Sequence, residues 1–232
     1  MLLSIGSKFM LKRCLDLALS VTALTVLSPV LLLVAILVRW RMGAPVLYVQ
    51  QRPGLNGRGF MLVKFRTMLQ TRSSEGLPLP DVERLTTLGK FLRSCSVDEL
   101  PELWNVIRGD MSLVGPRPLL MKYLPLYNDF QRRRHEVRPG ITGWAQINGR
   151  NTVDWDERFR MDVWYVDNHN ILLDLKILLF TLVRVVRREG ISAKGEATVA
   201  MFQGALECKP VPKDPNSSLE MPNIVSQRHR RH

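Results

Sequence analysis

The stretch "LALSVTALTVLSPVLLLVAILVRW" (residues 17–40) determines how the chain meets a membrane. Its first 22 residues, 17–38, carry no charge. As a straight helix such a run measures roughly 33 Å, and the hydrocarbon core of a bilayer is about 30 Å thick. Ser28 and Pro29 stand near its middle, where a proline removes a backbone donor and clashes with the carbonyl four residues earlier. The pattern therefore predicts a membrane helix that breaks or kinks at Ser28-Pro29.

Basic residues stand on both sides of this run: Lys8, Lys12 and Arg13 before it, and Arg39 and Arg41 after it. Lys and Arg are enriched in the cytoplasmic flanks of membrane segments. Two topologies are open. In the first, the segment is re-entrant: it enters the bilayer, breaks at Ser28-Pro29 and returns both ends to the cytoplasmic face, with Ser28 or another group bonding the freed carbonyl. In the second, it crosses the bilayer as a kinked span. A cleaved signal peptide fits less well, because its apolar region has only about 7–15 residues.

The composition indicates a membrane-associated protein with an anionic partner. The 232 residues include 33 Lys and Arg against 21 Asp and Glu, a formal net charge of +12. Such an excess suits nucleic acid, an anionic bilayer or a phosphorylated substrate, and the membrane segment favours the last two, so no nucleic acid is expected. Cys14, Cys95 and Cys208 are far apart, which argues against a disulfide framework or a zinc cluster and fits a reducing cytosol.

The chain is predicted to have three parts. Residues 1–41 form the membrane helix-break-helix, residues 42–206 form one globular domain, and residues 207–232 are rich in Pro and polar residues and are expected to be disordered. The fold class is α+β and mainly helical. The stretch "ILLDLKILLFTLVRVVRRE" (171–189) predicts an amphipathic helix that lies on the membrane surface or packs in the core.

A short β-hairpin is predicted directly after the membrane segment. The stretch "PVLYVQQRPGLNGRGFMLVKFRTM" has two strand-like runs around a turn rich in Pro and Gly. Alternation in the second strand would put Phe60, Leu62, Lys64 and Arg66 on one face. That face is apolar at one end and basic at the other, so its basic end needs an anion or water.

The adjacent carboxylates Asp98 and Glu99, in "SVDELPEL", are the candidate reactive pair. The structural alternative is a capping box, with Ser96 as the helix cap and Glu99 at the third helical position. In that register Pro101 would delete an early helical hydrogen bond, whereas a helix that starts at Asp98 places Pro101 in the first turn, where the loss costs little. The later start puts both carboxylates at a helix terminus that favours the ionised, nucleophilic or metal-ligating form of Asp98.

Six cations lie in or beside turn-prone segments: Lys64, Arg66, Arg93, Arg117, Arg138 and Arg150. Each one alone is explained as a solvated surface charge. Together they suit a diphosphate, which needs several convergent donors, and the planar fork of arginine pairs with phosphate oxygens in bidentate fashion. The set is therefore the candidate phosphate-binding group.

These features resemble the monotopic phosphoglycosyl transferases, also called bacterial sugar transferases. The resemblance runs through the Ser28-Pro29 position and the blocks "KFRTM", "RSCSVDELPELWNVIRGDMSLVGPRPLL", "RHEVRPGITGWAQINGRN" and "LDLKIL", over about residues 8–203. The chain is similar to the short, PglC-type form. The resemblance implies a re-entrant membrane helix on a small cytosolic domain, with interfacial amphipathic helices, at the cytoplasmic face of a bacterial inner membrane.

The resemblance also implies a reaction. A sugar phosphate passes from a UDP-sugar to undecaprenyl phosphate, with release of UMP, as the first membrane step of glycoconjugate synthesis. The family's Asp-Glu dyad falls on Asp98 and Glu99, with Asp98 as the nucleophile that forms a phospho-aspartyl intermediate. Magnesium is the implied cofactor, assigned to Asp98, and neutralises the diphosphate. Further glycosyltransferases of the same pathway are expected partners.

The alternative class is a membrane-tethered basic protein that binds anionic lipid or nucleic acid without catalysis. It accounts for the net charge of +12 but gives no reason for the Asp98-Glu99 pair. The sequence does not choose the sugar.

Overall fold

A computed structural model describes residues 2–71, 79–149, 154–187 and 201–204. The predicted tail at 207–232 and Arg150 lie outside the described residues. Eight α-helices and four strands are described, in the order α1 (Leu2–Met42), β1 (Leu47–Pro53), β2 (Gly59–Phe65), α2 (Asp81–Arg84), α3 (Thr87–Ser94), α4 (Glu102–Arg108), β3 (Ser112–Val114), α5 (Asp129–Arg132), β4 (Gly140–Thr142), α6 (Trp144–Asn148), α7 (Trp155–Asn168) and α8 (Ile171–Arg187). The described elements are mainly helical with small sheets, as predicted.

The helix α1 contains the whole apolar stretch and is continuous through Pro29, whereas the sequence predicts two helices separated by a break. Pro29 cannot donate to the carbonyl of Thr25, four residues earlier. The Ser28 hydroxyl donates to that carbonyl at 2.8 Å, so the freed acceptor is satisfied as predicted. The Thr25 hydroxyl in turn donates to the Val21 carbonyl at 2.9 Å. These local bonds explain how the helix accommodates the proline without ending.

One face of α1 is apolar and open to the surroundings. Within Met10–Met42, an 18-residue segment has a mean hydropathy of 2.7, and only 11% of that segment is buried. The helix is therefore long and apolar enough to cross a membrane. The exposed side chains include Leu19, Val26, Val30, Leu32, Leu33, Ile36 and Trp40. A continuous apolar face of this kind suits lipid.

The opposite face of α1 is bound to the globular domain near its N-terminal end. Lys12 Nζ donates to Asp174 Oδ2 of α8 at 2.6 Å. The buried Asp16 carboxylate accepts from the Ser112 hydroxyl of β3 at 2.8 Å. Arg13 donates to the last carbonyls of α4, at Val106 and Ile107. Lys12 and Arg13, which flank the apolar run in the sequence, therefore bind α1 to the globular domain.

The C-terminal end of α1 is bound to the same domain by different contacts. The Arg66 guanidinium donates to three backbone carbonyls at the end of the helix and just after it, those of Met42, Gly43 and Ala44. Cations satisfy the free carbonyls of a helix C-terminus and oppose its negative dipole end. Val34, Val38 and Met42 pack in one cluster with Phe65 and Leu92. Both ends of α1 therefore contact one globular domain.

The predicted hairpin is confirmed. Strands β1 and β2 are antiparallel, with Gln50 opposite Leu62 and Tyr48 opposite Lys64. Phe60 and Leu62 are buried, and Lys64 is partly buried farther along the same face. Strands β3 and β4 form a second, parallel pair. The hairpin packs on α4, so the basic end of β2 lies next to the segment that carries Asp98.

The helix α8 is amphipathic, as predicted. Ile177 is fully buried and packs in the cluster formed by β2, α4 and β3. The opposite face is exposed and consists largely of leucine: Leu172, Leu175, Leu179 and Leu182. One face of α8 therefore belongs to the core, and the other presents an apolar stripe.

Candidate active site

The backbone around Asp98 and Glu99 differs from both helical registers considered for the sequence. After α3 the chain passes through Ser96, whose φ of 55° is left-handed and whose side chain forms no cap, so the capping box is absent. Asp98 and Glu99 lie on a 3-10 turn (Val97–Glu99), and α4 begins only at Glu102, with Pro101 as its N-cap. The predicted start at Asp98 is therefore wrong by four residues. Pro101 closes the turn instead of entering the helix.

The two carboxylates have different environments. Asp98 is 4% exposed. Within the described residues its carboxylate has no hydrogen-bond or ion-pair partner. Glu99 is held by Arg117, whose two terminal nitrogens each donate to one oxygen of the Glu99 carboxylate. The fork-to-fork geometry fixes the orientation of both side chains.

Three of the predicted cations surround this pair. Lys64 comes from β2, Arg93 from the end of α3, and Arg117 from the loop after β3, and all three interact electrostatically with Asp98 and Glu99. The Arg93 Nε donates to the buried Thr67 hydroxyl at 3.0 Å. Lys64 Nζ lies 5.7 Å from the centre of the Tyr48 ring. Residues from three separate segments of the chain thus form one cationic cluster.

Burial and charge act in opposition on the reactive pair. Burial, together with the charge of Glu99, raises the pKa of Asp98, while Lys64, Arg93 and Arg117 offset part of the rise. Burial also disfavours ionisation of Glu99, but the charge and hydrogen bonds of Arg117 outweigh it and hold the pKa of Glu99 below its usual range. Glu99 is therefore an anion committed to Arg117, and Asp98 is the more basic carboxylate of the two.

Sequence reasoning missed a third carboxyl group, Glu102. It lies in the first turn of α4 and is 2% exposed. Burial and the charges of Glu99 and Asp98 raise the pKa of Glu102 to about 8, against the pull of Arg117 and Lys64. No spacing in the sequence marks Glu102, because Asp98 lies before α4 and only burial among charges sets Glu102 apart. At neutral pH Glu102 therefore keeps its proton, while Glu99 is ionised.

Asn105 is a second residue that the sequence did not reveal. Its side chain is fully buried, accepts from the Val63 N–H at 3.1 Å and donates to the Met61 carbonyl at 2.7 Å. A buried amide with both ends satisfied fixes one orientation between two elements. Asn105 therefore sets the position of α4, with Glu102, against β2, with Lys64.

Two predicted phosphate-binding residues have other roles in the structure. Arg66 is 5% exposed and donates to carbonyls at the end of α1. The strand β2 ends at Phe65, so the alternation of side chains along the strand does not extend to Arg66. Arg138 Nε donates to the Gly109 carbonyl at 3.0 Å, just after α4. Neither contributes a resolved interaction to Asp98 or Glu99. Arg150 lies outside the described residues.

The site fits magnesium only in combination with a substrate. Mg²⁺ commonly binds through one or two carboxylates together with substrate phosphates and waters. The carboxylate of Asp98, unpaired within the described part of the chain, meets that requirement, whereas Glu99 is engaged by Arg117. Among the described residues no group of three His, Cys, Asp or Glu could hold a metal alone. An ion at Asp98 would therefore need oxygen ligands from a bound phosphate compound.

Asp98 and Glu99 form an acidic pair in a cationic cluster, and the same chain carries the long apolar helix α1. Comparison with known families identifies the class of protein. The bacterial sugar transferase family matches residues 7–188. The chain belongs to this family and is a sugar-phosphate transferase. The resemblance found in the sequence, and the prediction of an enzyme rather than a binding protein, are confirmed.

Individual relatives agree with this assignment. The chain is 53% identical over 195 residues to the uncharacterized sugar transferase EpsL of Bacillus subtilis, a match that covers 84% of this chain and 96% of EpsL. It is 38% identical over 202 residues to the undecaprenyl-phosphate galactose phosphotransferase of Salmonella typhimurium, and 40% identical over 193 residues to the undecaprenyl-phosphate glucose phosphotransferase of Komagataeibacter xylinus. These two matches cover 80% and 75% of this chain but only 42% and 36% of the relatives. The chain thus spans nearly all of EpsL and less than half of either phosphotransferase.

Proposed function

We propose that this chain transfers a sugar phosphate from a UDP-sugar to undecaprenyl phosphate and releases UMP. The observation that carries the proposal is the buried carboxylate of Asp98, which has no partner among the described residues and lies beside three cations. The names of the relatives support the lipid acceptor and the sugar phosphate. The expected place of the reaction is the cytoplasmic face of a bacterial inner membrane, before other glycosyltransferases extend the glycan.

The reaction proceeds in two displacements at phosphorus. Asp98 attacks the phosphate that bears the sugar, the bond between that phosphate and UMP breaks, and UMP leaves. The product of this step is a phospho-aspartyl sugar ester. An oxygen of undecaprenyl phosphate then attacks the same phosphorus, which transfers the sugar phosphate to the lipid and restores the Asp98 carboxylate. The raised pKa of Asp98 supports this role, because a more basic carboxylate is the better nucleophile once ionised.

The surrounding charges suit two anionic substrates that use one site in turn. Phosphoryl transfer depends mainly on positioning and on electrostatic stabilisation of the phosphoryl oxygens. Lys64, Arg93 and Arg117 provide positive charge from three separate segments of the chain, and Glu102 adds no negative charge while it is protonated. Magnesium bound at Asp98 and the donor phosphates would supply further charge neutralisation. The cationic cluster thereby overcomes the repulsion between two carboxylates and a diphosphate.

The contacts of α1 support a re-entrant course rather than a crossing. From Lys12 to Met42 an α-helix is about 45 Å long. Near the N-terminal end of α1, Lys12 and Asp16 form hydrogen bonds with the globular domain. At the C-terminal end of α1, Arg66 of the domain donates to the Met42 carbonyl. A straight span would place these two polar contacts on opposite sides of a hydrocarbon core of about 30 Å. The exposed leucines of α8 supply a second apolar surface that suits the membrane interface.

A donor panel tests the proposed reaction. The purified protein is incubated with undecaprenyl phosphate, magnesium chloride and each of several UDP-sugars, and both UMP and lipid-linked product are measured. We expect UMP release with at least one donor, dependent on the wild-type Asp98 side chain. Asp129→Asn, an exposed aspartate on α5, is the matched control that keeps activity. Absence of both products with every UDP-sugar would overturn the proposal.

A further inference from the structure

The loop that carries Arg117, residues 115–118, is fixed at its start by β4. The Gly115 N–H donates to the Thr142 carbonyl at 2.9 Å, and the Pro116 carbonyl accepts from the Gly140 N–H at 3.1 Å. A Cβ atom added to Gly115 would lie 2.3 Å from the Arg138 carbonyl oxygen, so the two backbones approach too closely for any side chain there. These contacts therefore fix the backbone of the first half of the loop.

The second half of the loop is fixed by two guanidinium groups. Arg134 Nη2 donates to the Arg117 carbonyl at 2.8 Å. Arg52 Nη1 donates to the next carbonyl, that of Pro118, at 3.3 Å. Arg52 comes from β1 and Arg134 from the 3-10 turn Arg133–His135. Two distant segments thus bind consecutive carbonyls of the loop that presents Arg117 to Glu99.

Arg134 is itself held rigidly by a buried ion pair. Its Nε and Nη2 donate to Asp162 Oδ2 of α7 at 3.0 and 2.7 Å, and the two side chains are 1% and 4% exposed. The guanidinium carbon lies 5.6 Å from the centre of the Phe159 ring. A buried ion pair is seldom more stabilising than apolar side chains of the same volume, because desolvation offsets the attraction. Here the ion pair fixes the orientation of the Arg134 guanidinium, which donates to the Arg117 carbonyl.

We infer that Arg134, oriented by Asp162, is a positioning residue for Arg117 in sugar phosphate transfer. The inference rests on the proposed function. The Arg117 side chain is long and 43% exposed, so its reach is limited mainly by the anchoring of its own backbone and by Glu99. Displacement of a charge-stabilising group by about 1 Å can cost about a hundredfold in rate. Arg134 prevents that displacement without contacting the substrate, and Arg52 assists at the adjacent carbonyl.

A double-mutant cycle between Arg134 and Arg117 tests this inference. In Arg134→Lys the charge remains, but one ammonium group cannot reproduce a fork that bonds both Asp162 and the Arg117 carbonyl. We expect kcat to fall at least tenfold with a smaller change in KM for the UDP-sugar. In an Arg117→Ala background the same change should lower kcat by less than about twofold, because the group that it positions is gone.

Matched variants separate positioning from general destabilisation. Arg133→Lys alters the neighbouring arginine, which pairs with Asp167 at the surface, and should leave kcat near the wild-type value. If Arg134→Lys does not fold, Arg52→Lys takes its place in the cycle, because Arg52 bonds the Pro118 carbonyl of the same loop. We then expect kcat to fall at least about threefold in the wild-type background and to stay unchanged in the Arg117→Ala background. Equal fold-losses in both backgrounds, or a wild-type kcat for the first variant that folds, would overturn the inference. Failure of the proposed function is distinct, since wild-type protein would then release no UMP.

Discussion

Replacing Glu102 by glutamine should change how stability depends on pH. The folded-state pKa of Glu102 is raised from 4.5 to about 8, with burial as the largest cause. In the unfolded chain this group loses its proton near pH 4.5, whereas in the folded protein it keeps the proton until about pH 8. The unfolded state therefore binds fewer protons across this window, so the free energy of unfolding falls as pH rises through it. Glutamine, a neutral group of similar size, removes this dependence.

The magnitude follows from the interval between the two pKa values. Each pKa unit corresponds to about 1.4 kcal/mol, so the interval implies a penalty on the order of several kcal/mol for wild-type protein at pH 8 relative to pH 4.5. For a chain of this length 1 kcal/mol shifts the unfolding midpoint by roughly 2–4 °C. We expect Glu102→Gln to unfold at least about 4 °C above wild type at pH 8 and close to wild type at pH 4.5.

Thermal unfolding of the protein in detergent, from pH 4.5 to 8.5, measures this difference. Glu83→Gln, at an exposed position on α2, is the matched control and should follow the wild-type curve. Because Glu102 is protonated at pH 7 in this account, the glutamine variant should also retain transfer activity within about fivefold at that pH. A difference in unfolding midpoint between Glu102→Gln and wild type that stays constant over the whole pH range would show that Glu102 does not titrate in this window, contrary to this prediction.

Three further predictions concern the site, the tail and the membrane helix. Arg117→Ala should lose about 1.5–3 kcal/mol of transition-state stabilisation, read from kcat/KM; a value within twofold of wild type would make Arg117 an ordinary surface residue. Truncation after Gly204 should preserve activity, because Phe202, which is 5% exposed among aromatic rings, is retained; loss of most UMP release in a folded truncation would contradict this. A cysteine placed at Ser4 in a cysteine-free background should be protected from an impermeant thiol reagent in intact spheroplasts. Pro29→Ala should raise the labelled fraction, and unchanged protection would show that proline does not decide the topology.

Local patterns in the sequence were sufficient for the elements that depend on neighbouring residues. Alternation located the hairpin and the face shared by Phe60, Leu62 and Lys64, because side chains in a strand change sides at every residue. The same rule was wrong for Arg66 because β2 ends at Phe65, one residue earlier. Of the six predicted cations, Lys64, Arg93 and Arg117 lie beside the adjacent carboxylates in the structure.

Contacts between distant segments could not be predicted from the sequence. Lys12 and Arg13 were interpreted as charges that flank a membrane segment, but their partners, Asp174 and the carbonyls that end α4, are about 90 to 160 residues away. Asn105 bonds backbone groups of β2, and no periodic pattern marks a residue of that kind. Glu102 is unusual only because the fold buries it among charges. Such properties arise from packing, which the pattern of residue types does not specify.

The proposed mechanism requires the Asp98 carboxylate to become covalently linked to the sugar phosphate. It is tested most directly by incubating the protein with magnesium and a UDP-sugar labelled in the phosphate next to the sugar, without undecaprenyl phosphate. We expect the protein to become labelled, mass spectrometry to place one sugar phosphate on the peptide that contains Asp98, and the label to be discharged when undecaprenyl phosphate is added. Asp98→Asn should acquire none. Lipid-linked product formed at the normal rate by Asp98→Asn, or label that attaches elsewhere and discharges with the same kinetics, would contradict the claim.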